Sequence, residues 1–271
     1  PLTLADMQAV QSDTLSLLAA EIVPMARSAL VGARLVRSLA GYLTDGRLER
    51  IVRLMEDWDL RMERDRVAPV AFQALLHFFA RQTVGDDLGI FFEPVLDSSP
   101  VYIMKFTLLA ARDPNQALIA QGKQRAMLDA LVETANFLEG RYGAVDSGFT
   151  WADAHATHFE SESLPEFDGG RVATDGAEGC VNVSEGRFFD GSLPAARHVS
   201  RGGAIYRMTA TFDPDGTPRA FINMPRGTSG EPGNEFYDNR TADWLEDRYT
   251  LLRFTRADVD LGTHSSATLA P

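Results

Sequence analysis

The sequence contains a single cysteine, Cys180, among 271 residues, so a disulfide within the chain is excluded. It has no apolar run long enough to span a bilayer. Its first thirty residues mix acids, glutamines and serines with apolar positions, unlike a signal peptide. These absences leave the compartment unknown, because a lone cysteine fits both a reduced cytoplasm and an envelope protein without disulfides.

Positively charged residues are fewer than negatively charged ones. The chain carries 26 Lys and Arg against 38 Asp and Glu, a formal net charge of -12. Affinity for nucleic acid comes mainly from Lys and Arg that neutralise phosphates. The balance therefore argues against nucleic acid and anionic membrane surfaces as partners.

What is present is ordinary for a globular protein, with 45% hydrophobic and 24% charged residues. The first half has the apolar spacing of helices, whereas glycine and short β-rich runs become frequent later. We predict an α+β fold with a mainly helical segment at 1–145 and a β-rich segment at 146–271. The two are expected to form one structural unit.

The helical half carries recognisable start and stop signals. Thr3 with Asp6 matches a capping box, and Pro24 is expected to end or kink the helix that follows. Asp45-Gly46 predicts a turn before a helix from Arg47, and Pro69 suits the first turn of another helix. Further helices are predicted around 100–111 and 115–138. The apolar faces are Leu48, Ile51, Val52, Met55 and Trp58, then Phe72, Leu75, Leu76 and Phe79.

The second half predicts short strands between turns. They are 181–183, 204–212, 219–224 and 251–254, and Asp213-Pro214-Asp215-Gly216 predicts a hairpin turn between the second and third. Thr255 with Asp258 then repeats the capping pattern and predicts a short helix.

The segment around two histidines is the best local candidate for metal or acid–base chemistry. His155 and His158, at i and i+3, would share a helix face, and Asp153 could orient one of them. The spacing alone is weak, since zinc sites need at least three protein ligands. We therefore favour one packed, hydrogen-bonded histidine and one near the surface.

Other candidates also favour structural roles. Cys180 is expected to point from a strand into packing. An N-terminal proline such as Pro1 can act as a base, as in the small tautomerases, but those chains are much shorter and have a different β-α-β pattern, and the residues after Pro1 predict an ordinary capped helix. The segment 225–230 is neither a nucleophile elbow nor a phosphate loop; its Gly227 and Gly230 are expected to supply unusual backbone angles, and Arg226 could pair with a carboxylate. The acidic cluster lacks a calcium-loop pattern and is interleaved with arginines, which predicts a solvated ion-pair face. It comprises Asp57, Asp59, Glu63 and Asp65, with Arg61, Arg64 and Arg66.

Several segments in one order resemble the catalytic chain of the penicillin acylase family, in its C-terminal part. The opening resembles a helix with a glutamine, an acid and a closing proline. Later elements resemble Leu-x-x-Trp-Asp-x-x-Met, Trp-x-x-x-His, Gly-x-Val-Asn, Ser-Gly-x-Pro and a Tyr-Asp pair followed by Trp. Here they are Leu54 to Met62, Trp151 with His155, Gly179 to Val183, Ser229 to Pro232, Tyr237-Asp238 and Trp244. Three positions depart from the family pattern. Glutamine is common at the position of Thr228, histidine at that of Phe236 and glutamine at that of Asn239.

The resemblance implies an N-terminal nucleophile hydrolase with an αββα fold. In such enzymes a serine freed at a new N-terminus attacks an amide, with its own α-amino group as base. Here the first residue is Pro1, and the nucleophile, oxyanion donors and calcium ligands of the family lie upstream of the matching region. We therefore assign no catalytic, cofactor-binding or metal-binding residue to this chain, and expect no cofactor.

The resemblance also implies partners and a location. The remainder of an acylase would be the main partner, an acyl amide the substrate of the parent protein, and the periplasm or exterior its location. Exposed strand edges could additionally pair two copies. Two alternatives stay open: a stand-alone binding module with an acylase-like fold, and a metal-dependent hydrolase using His155 and His158.

Overall fold

A computed structural model describes residues 2–113, 119, 121–161, 164–187, 198–263 and 265–268. Ten α-helices lie within these residues. They are α1 (Leu4–Gln11), α2 (Leu17–Ala33), α3 (Gly46–Glu56), α4 (Ala68–Leu88), α5 (Phe92–Ser98), α6 (Pro100–Arg112), α7 (Lys123–Tyr142), α8 (Trp151–Ala154), α9 (Thr241–Leu245) and α10 (Arg256–Gly262). The strands are β1 (His155–His158), β2 (Arg171–Val172), β3 (Ser184–Arg187), β4 (His198–Gly203), β5 (Arg207–Phe212), β6 (Pro218–Asn223) and β7 (Thr250–Leu251). The helical first half and strand-bearing second half confirm the predicted α+β class. No helix among the described residues is long and apolar enough to cross a membrane.

The chain divides into two compact units, each assembled from separate stretches. Unit 1 comprises Pro1–Asp13, Ser161–Gly169 and Ala204–Pro271, and unit 2 comprises Thr14–Glu160 and Gly170–Gly203. The sequence-based division at residues 145 and 146 describes a change of composition and stays a prediction.

Unit 2 is built around α4, which packs against α7, α6 and α3. The predicted stripe of Phe72, Leu75, Leu76 and Phe79 is fully buried in the core, because α4 is surrounded by helices. Each such side chain contributes about 1.5–3 kcal/mol on burial.

The start of unit 2 corrects one expectation about Pro24. The predicted first helix is interrupted after Gln11, and a second helix, α2, begins after Ser16, whose Oγ accepts from the Ala19 amide at 3.1 Å. Pro24 lies inside α2, which runs on to Ala33. The prediction was that Pro24 ends or kinks the helix; the ending is wrong, and the kink stays a prediction. Residues on both sides, including Ile22 and Ala26, are buried, and this packing outweighs the hydrogen bond that proline removes.

Helix boundaries elsewhere follow the predicted signals. Asp45 caps α3 by accepting from the Arg47 amide at 3.0 Å, and Pro69 lies in the first turn of α4. Of the helix predicted at 115–138, the described part begins at Lys123 and reaches Tyr142. Residues 115–118 lie outside the described residues.

A four-stranded sheet completes unit 2, with strand order β2-β1-β4-β3. β1 is parallel to β4, and the other pairs are antiparallel. Two predictions about this region are wrong. Residues 181–183 form a bend before β3, which begins at Ser184, and His155–His158 is a strand rather than a helix.

Unit 1 contains an antiparallel sheet of order β5-β6-β7. The predicted hairpin turn joins β5 to β6, with Gly216 at a φ of 84° and the Asp213 amide donating to the Thr217 carbonyl at 2.9 Å. The predicted capping box of Thr3 and Asp6 is present at the start of α1. Thr255 caps α10 by accepting from the Asp258 amide.

Helix α1 lies against the edge strand β5 within unit 1. The Gln8 side-chain amide donates to Thr209 Oγ1 at 3.3 Å, and the Gln11 side-chain amide donates to the Met208 carbonyl at 3.0 Å. These two glutamines cover part of an edge that would otherwise offer its backbone to another chain. Pairing of two copies through strand edges stays a prediction.

Candidate functional site

His155 lies at the centre of a buried polar cluster in unit 2. Because β1 is a strand, successive side chains alternate between its two faces. His155 and Thr157 therefore share one face, and His158 lies on the other, so the two histidines cannot form the helical pair predicted from their spacing. Asp153, predicted to orient a histidine, instead accepts the Thr150 amide at 2.7 Å at the start of α8.

Hydrogen bonds hold the His155 ring at both nitrogens. Its Nδ1 lies 3.0 Å from the Thr174 carbonyl oxygen, which can only accept a hydrogen bond. Its Nε2 lies 3.2 Å from Ser184 Oγ. Thr157 Oγ1 and Thr174 Oγ1 are 3.0 Å apart and extend the cluster.

Trp151 forms one wall of the cluster. Its ring stacks on the His155 ring with centroids 4.5 Å apart and planes 10° apart. Its Nε1 donates to the Gly176 carbonyl at 3.1 Å. Trp151 thereby links α8, β1 and the segment leading to β3.

Burial sets the charge of the cluster. His155 has no exposed surface, and desolvation lowers its pKa to about 4, against the opposing effect of hydrogen bonds with Thr174 and Ser184. The imidazole is therefore neutral at pH 7. A serine hydroxyl beside a neutral histidine is the pair of groups that a nucleophile and its base would supply. Here both residues are buried, and the contact serves to join β1 to β3.

The buried histidines predict loss of stability on mild acidification. The unfolded pKa is about 6.5, whereas burial lowers the pKa of His155 to about 4 and that of His77 to about 3. Unfolding then takes up protons below pH 6.5, so stability falls as pH drops from 6.5 towards these folded values. At pH 5 the cost for His155 is about 2 kcal/mol.

We expect the free energy of unfolding of His155→Gln, measured with urea, to depend less on pH between 6.5 and 5. The difference should correspond to about one proton fewer taken up per molecule on unfolding. His77→Gln provides a matched comparison at a second buried histidine on α4. Parallel stability curves for His155→Gln and the unchanged protein would contradict the assignment.

The remaining sequence candidates of unit 2 have structural contacts. Cys180 lies in a turn rather than a strand, and its Sγ donates to the Thr14 carbonyl at 3.1 Å while packing beside the core. In the acidic cluster, Arg66 pairs with Glu63 at 3.3 Å and Arg64 lies 3.7 Å from Asp175. Among the described residues, no group of three or more His, Cys, Asp or Glu is placed to hold a metal ion.

The glycine-rich segment at 225–230 packs within unit 1. The Arg226 guanidinium lies 4.1 Å from the centre of the Tyr237 ring, and the Tyr237 hydroxyl donates to the Phe167 carbonyl at 2.6 Å. A carboxylate partner for Arg226 stays a prediction. Gly227 and Gly230 are not among the glycines with positive φ, so their predicted backbone role is wrong. Gly227 is needed for close approach, since a Cβ there would lie 1.8 Å from the Phe236 carbonyl oxygen.

Unit 1 contains a buried polar cluster of its own, around Arg207, which the sequence did not predict. Arg207 donates to Asn223 Oδ1 at 2.9 Å and to Asp247 Oδ1 at 3.0 Å, and its guanidinium lies near the Trp244 ring. Asn223 in turn donates to two backbone carbonyls. The cluster ties β5 and β6 to the α9 region. Its residues lie up to 40 positions apart, so no local pattern marks it.

A groove of unit 2 lies between α2 and α7, with a volume of about 590 Å³. Its polar groups already have partners. Glu21 pairs with Arg112, Lys123 Nζ donates to the Ala111 carbonyl at 2.8 Å, and Gln124 donates to the Ala29 carbonyl at 3.2 Å. The groove thus has room for a small molecule, but these three polar side chains are already paired within the protein.

The fold defines an α+β protein whose polar clusters lie in buried positions, and comparison with known proteins identifies its class. The penicillin amidase family matches residues 1–261. The chain therefore belongs to the penicillin amidase family, which confirms the resemblance seen in the sequence.

A solved structure supports the same fold. The chain is similar to a thermostable penicillin G acylase from Alcaligenes faecalis, with a TM-score of 0.53 and 14% sequence identity. The match covers 98% of this chain and 49% of that acylase chain, so the chain spans about half the length of its solved relative. No curated protein sequence matches this chain.

Proposed function

We propose that this chain is the C-terminal half of the catalytic chain of an N-acyl amidohydrolase and that it supplies scaffold rather than the nucleophile. The family match over residues 1–261, combined with coverage of about half of the penicillin G acylase chain, carries this proposal. The reacting serine would come from acylase polypeptide outside these residues.

The residues that resemble family motifs support a scaffold role through their positions. Trp58, Trp151 and Trp244 are all buried. Each donates its indole N–H to a backbone carbonyl, of Arg61, Gly176 and Ala204 respectively. The bonds of Trp151 and Trp244 reach 25 and 40 positions along the chain, so each of these two tryptophans fixes one segment against another.

The substrate of the parent enzyme is proposed to be a linear acyl amide. The reaction would follow the N-terminal serine pattern, in which the serine attacks the amide carbonyl, the amine leaves, and water releases the acid. Penicillin-type amides and N-acyl-homoserine lactones are the substrate classes to compare.

The test compares this chain with the product of the longer reading frame that contains it. We expect no turnover of a phenylacetyl amide or a long-chain acyl-homoserine lactone by the chain alone. The longer product should hydrolyse at least one of them, and alanine in place of its N-terminal serine should abolish the activity. Turnover by the chain alone would overturn the proposal, as would a reading frame without an acylase core upstream, which favours a stand-alone module.

A further inference from the structure

Helix α6 carries apolar side chains on both its inner and its outer face, and its two charged residues, Lys105 and Arg112, are exposed on the outer face. Its inner face packs against α4 and α5, and the buried residues there are Ile103, Met104, Thr107, Ala110 and Ala111. On the outer face, Tyr102, Phe106 and Leu109 follow one another at i, i+4 and i+7 and are 61%, 50% and 47% exposed. We call these three residues the outer stripe.

The outer stripe differs from an ordinary helix surface. A surface helix of a globular protein is polar on the side away from the core, whereas a helix apolar all round is covered on both sides. Among its 13 residues α6 has two charged ones, Lys105 and Arg112. A groove of about 310 Å³ adjoins the stripe. Leu109 of the stripe lines it together with Leu18, Met104 and Leu108, and so do the charged residues Lys105, Arg112 and Glu178.

We propose that the outer stripe of α6 is the docking surface for the acylase polypeptide that this chain lacks. The inference rests on the proposed function above. The penicillin G acylase chain contains about as much polypeptide again as the part that this chain matches. An apolar element of that polypeptide is the partner that a stripe of Tyr, Phe and Leu beside an apolar groove would recognise.

Charge disfavours two other occupants. A second copy of the chain would bring a second net charge of -12, and the repulsion opposes self-association at low salt. The same charge opposes an anionic bilayer.

The experiment uses two matched leucines of unit 2. Leu109 lies in the stripe, whereas Leu35, 83% exposed, lies beyond the end of α2. We expect Leu109→Lys to weaken association with the upstream acylase polypeptide by tenfold or more, and Leu35→Lys by less than twofold. The thermal midpoint of the chain alone should be unchanged in both, which separates docking from folding. In a parallel arm, Leu109→Cys is labelled with a maleimide and mapped separately from Cys180. Labelling should slow by tenfold or more once the acylase is assembled.

The outcomes separate this inference from the proposed function. If the two polypeptides associate while the thiol introduced by Leu109→Cys reacts as fast as in the free chain, the stripe is not the docking surface and the proposed function stands. If no association occurs, both fall. If the chain alone dimerises with the stripe protected, the occupant is a second copy and the inference is overturned.

Discussion

Replacing Trp151 with alanine is expected to lower the free energy of unfolding by about 3–5 kcal/mol. Trp151 is fully buried, and its removal leaves a cavity beside His155 and deprives the Gly176 carbonyl of its donor. The change should appear as a lower urea midpoint, together with loss of the near-ultraviolet signal of a packed indole.

Trp151→Phe separates the two contributions. Phenylalanine keeps an aromatic ring against His155 but cannot donate to the Gly176 carbonyl, and leaving a buried acceptor unsatisfied costs about 1–3 kcal/mol. The phenylalanine variant should therefore lie between the alanine variant and the unchanged protein. A Trp151→Ala midpoint within error of the unchanged protein would show that the cluster does not hold unit 2 together.

Gly176→Ala is expected to be the most disruptive single methyl addition in unit 2. Gly176 has a φ of 88°, and a Cβ there would lie 2.0 Å from the Asn182 carbonyl oxygen. The left-handed backbone costs about 1–2 kcal/mol for alanine, and displacing a packed backbone adds about 1–3 kcal/mol. We expect a total loss of about 2–5 kcal/mol in urea unfolding.

Gly143→Ala is the matched control, because Gly143 has a φ of 74° and open space where its Cβ would be. It carries the backbone cost without the overlap, about 1–2 kcal/mol. The difference between the two variants measures the close approach to Asn182. Equal losses would mean that the Asn182 segment moves aside at no cost.

The sequence predicted the helices well because their signals are local. Asp45 before α3, Pro69 in α4 and the stripe from Phe72 to Phe79 all lie within one or two turns of what they specify. Pro24 does not end α2 for the complementary reason, since core residues from other helices decide whether that helix continues.

The polar clusters were beyond a local argument. His155 meets Thr174 and Ser184, which lie 19 and 29 positions away. The spacing of three residues between His155 and His158 does not distinguish a helix from a strand. In a helix the two side chains would share one face, whereas in the strand that forms here they lie on opposite faces. The predicted packed histidine bonded to its neighbours describes His155 well, although neither bonding partner could be named.

The pairing of α1 with β5 has a consequence for synthesis on the ribosome. Gln8 and its partner Thr209 are separated by 201 positions. At about 5–20 residues per second, the ribosome makes Thr209 roughly 10–40 seconds after Gln8. All of the helices from α2 to α8 are translated in that interval. The first dozen residues must therefore wait, without their strand, while the helical core of unit 2 can already assemble.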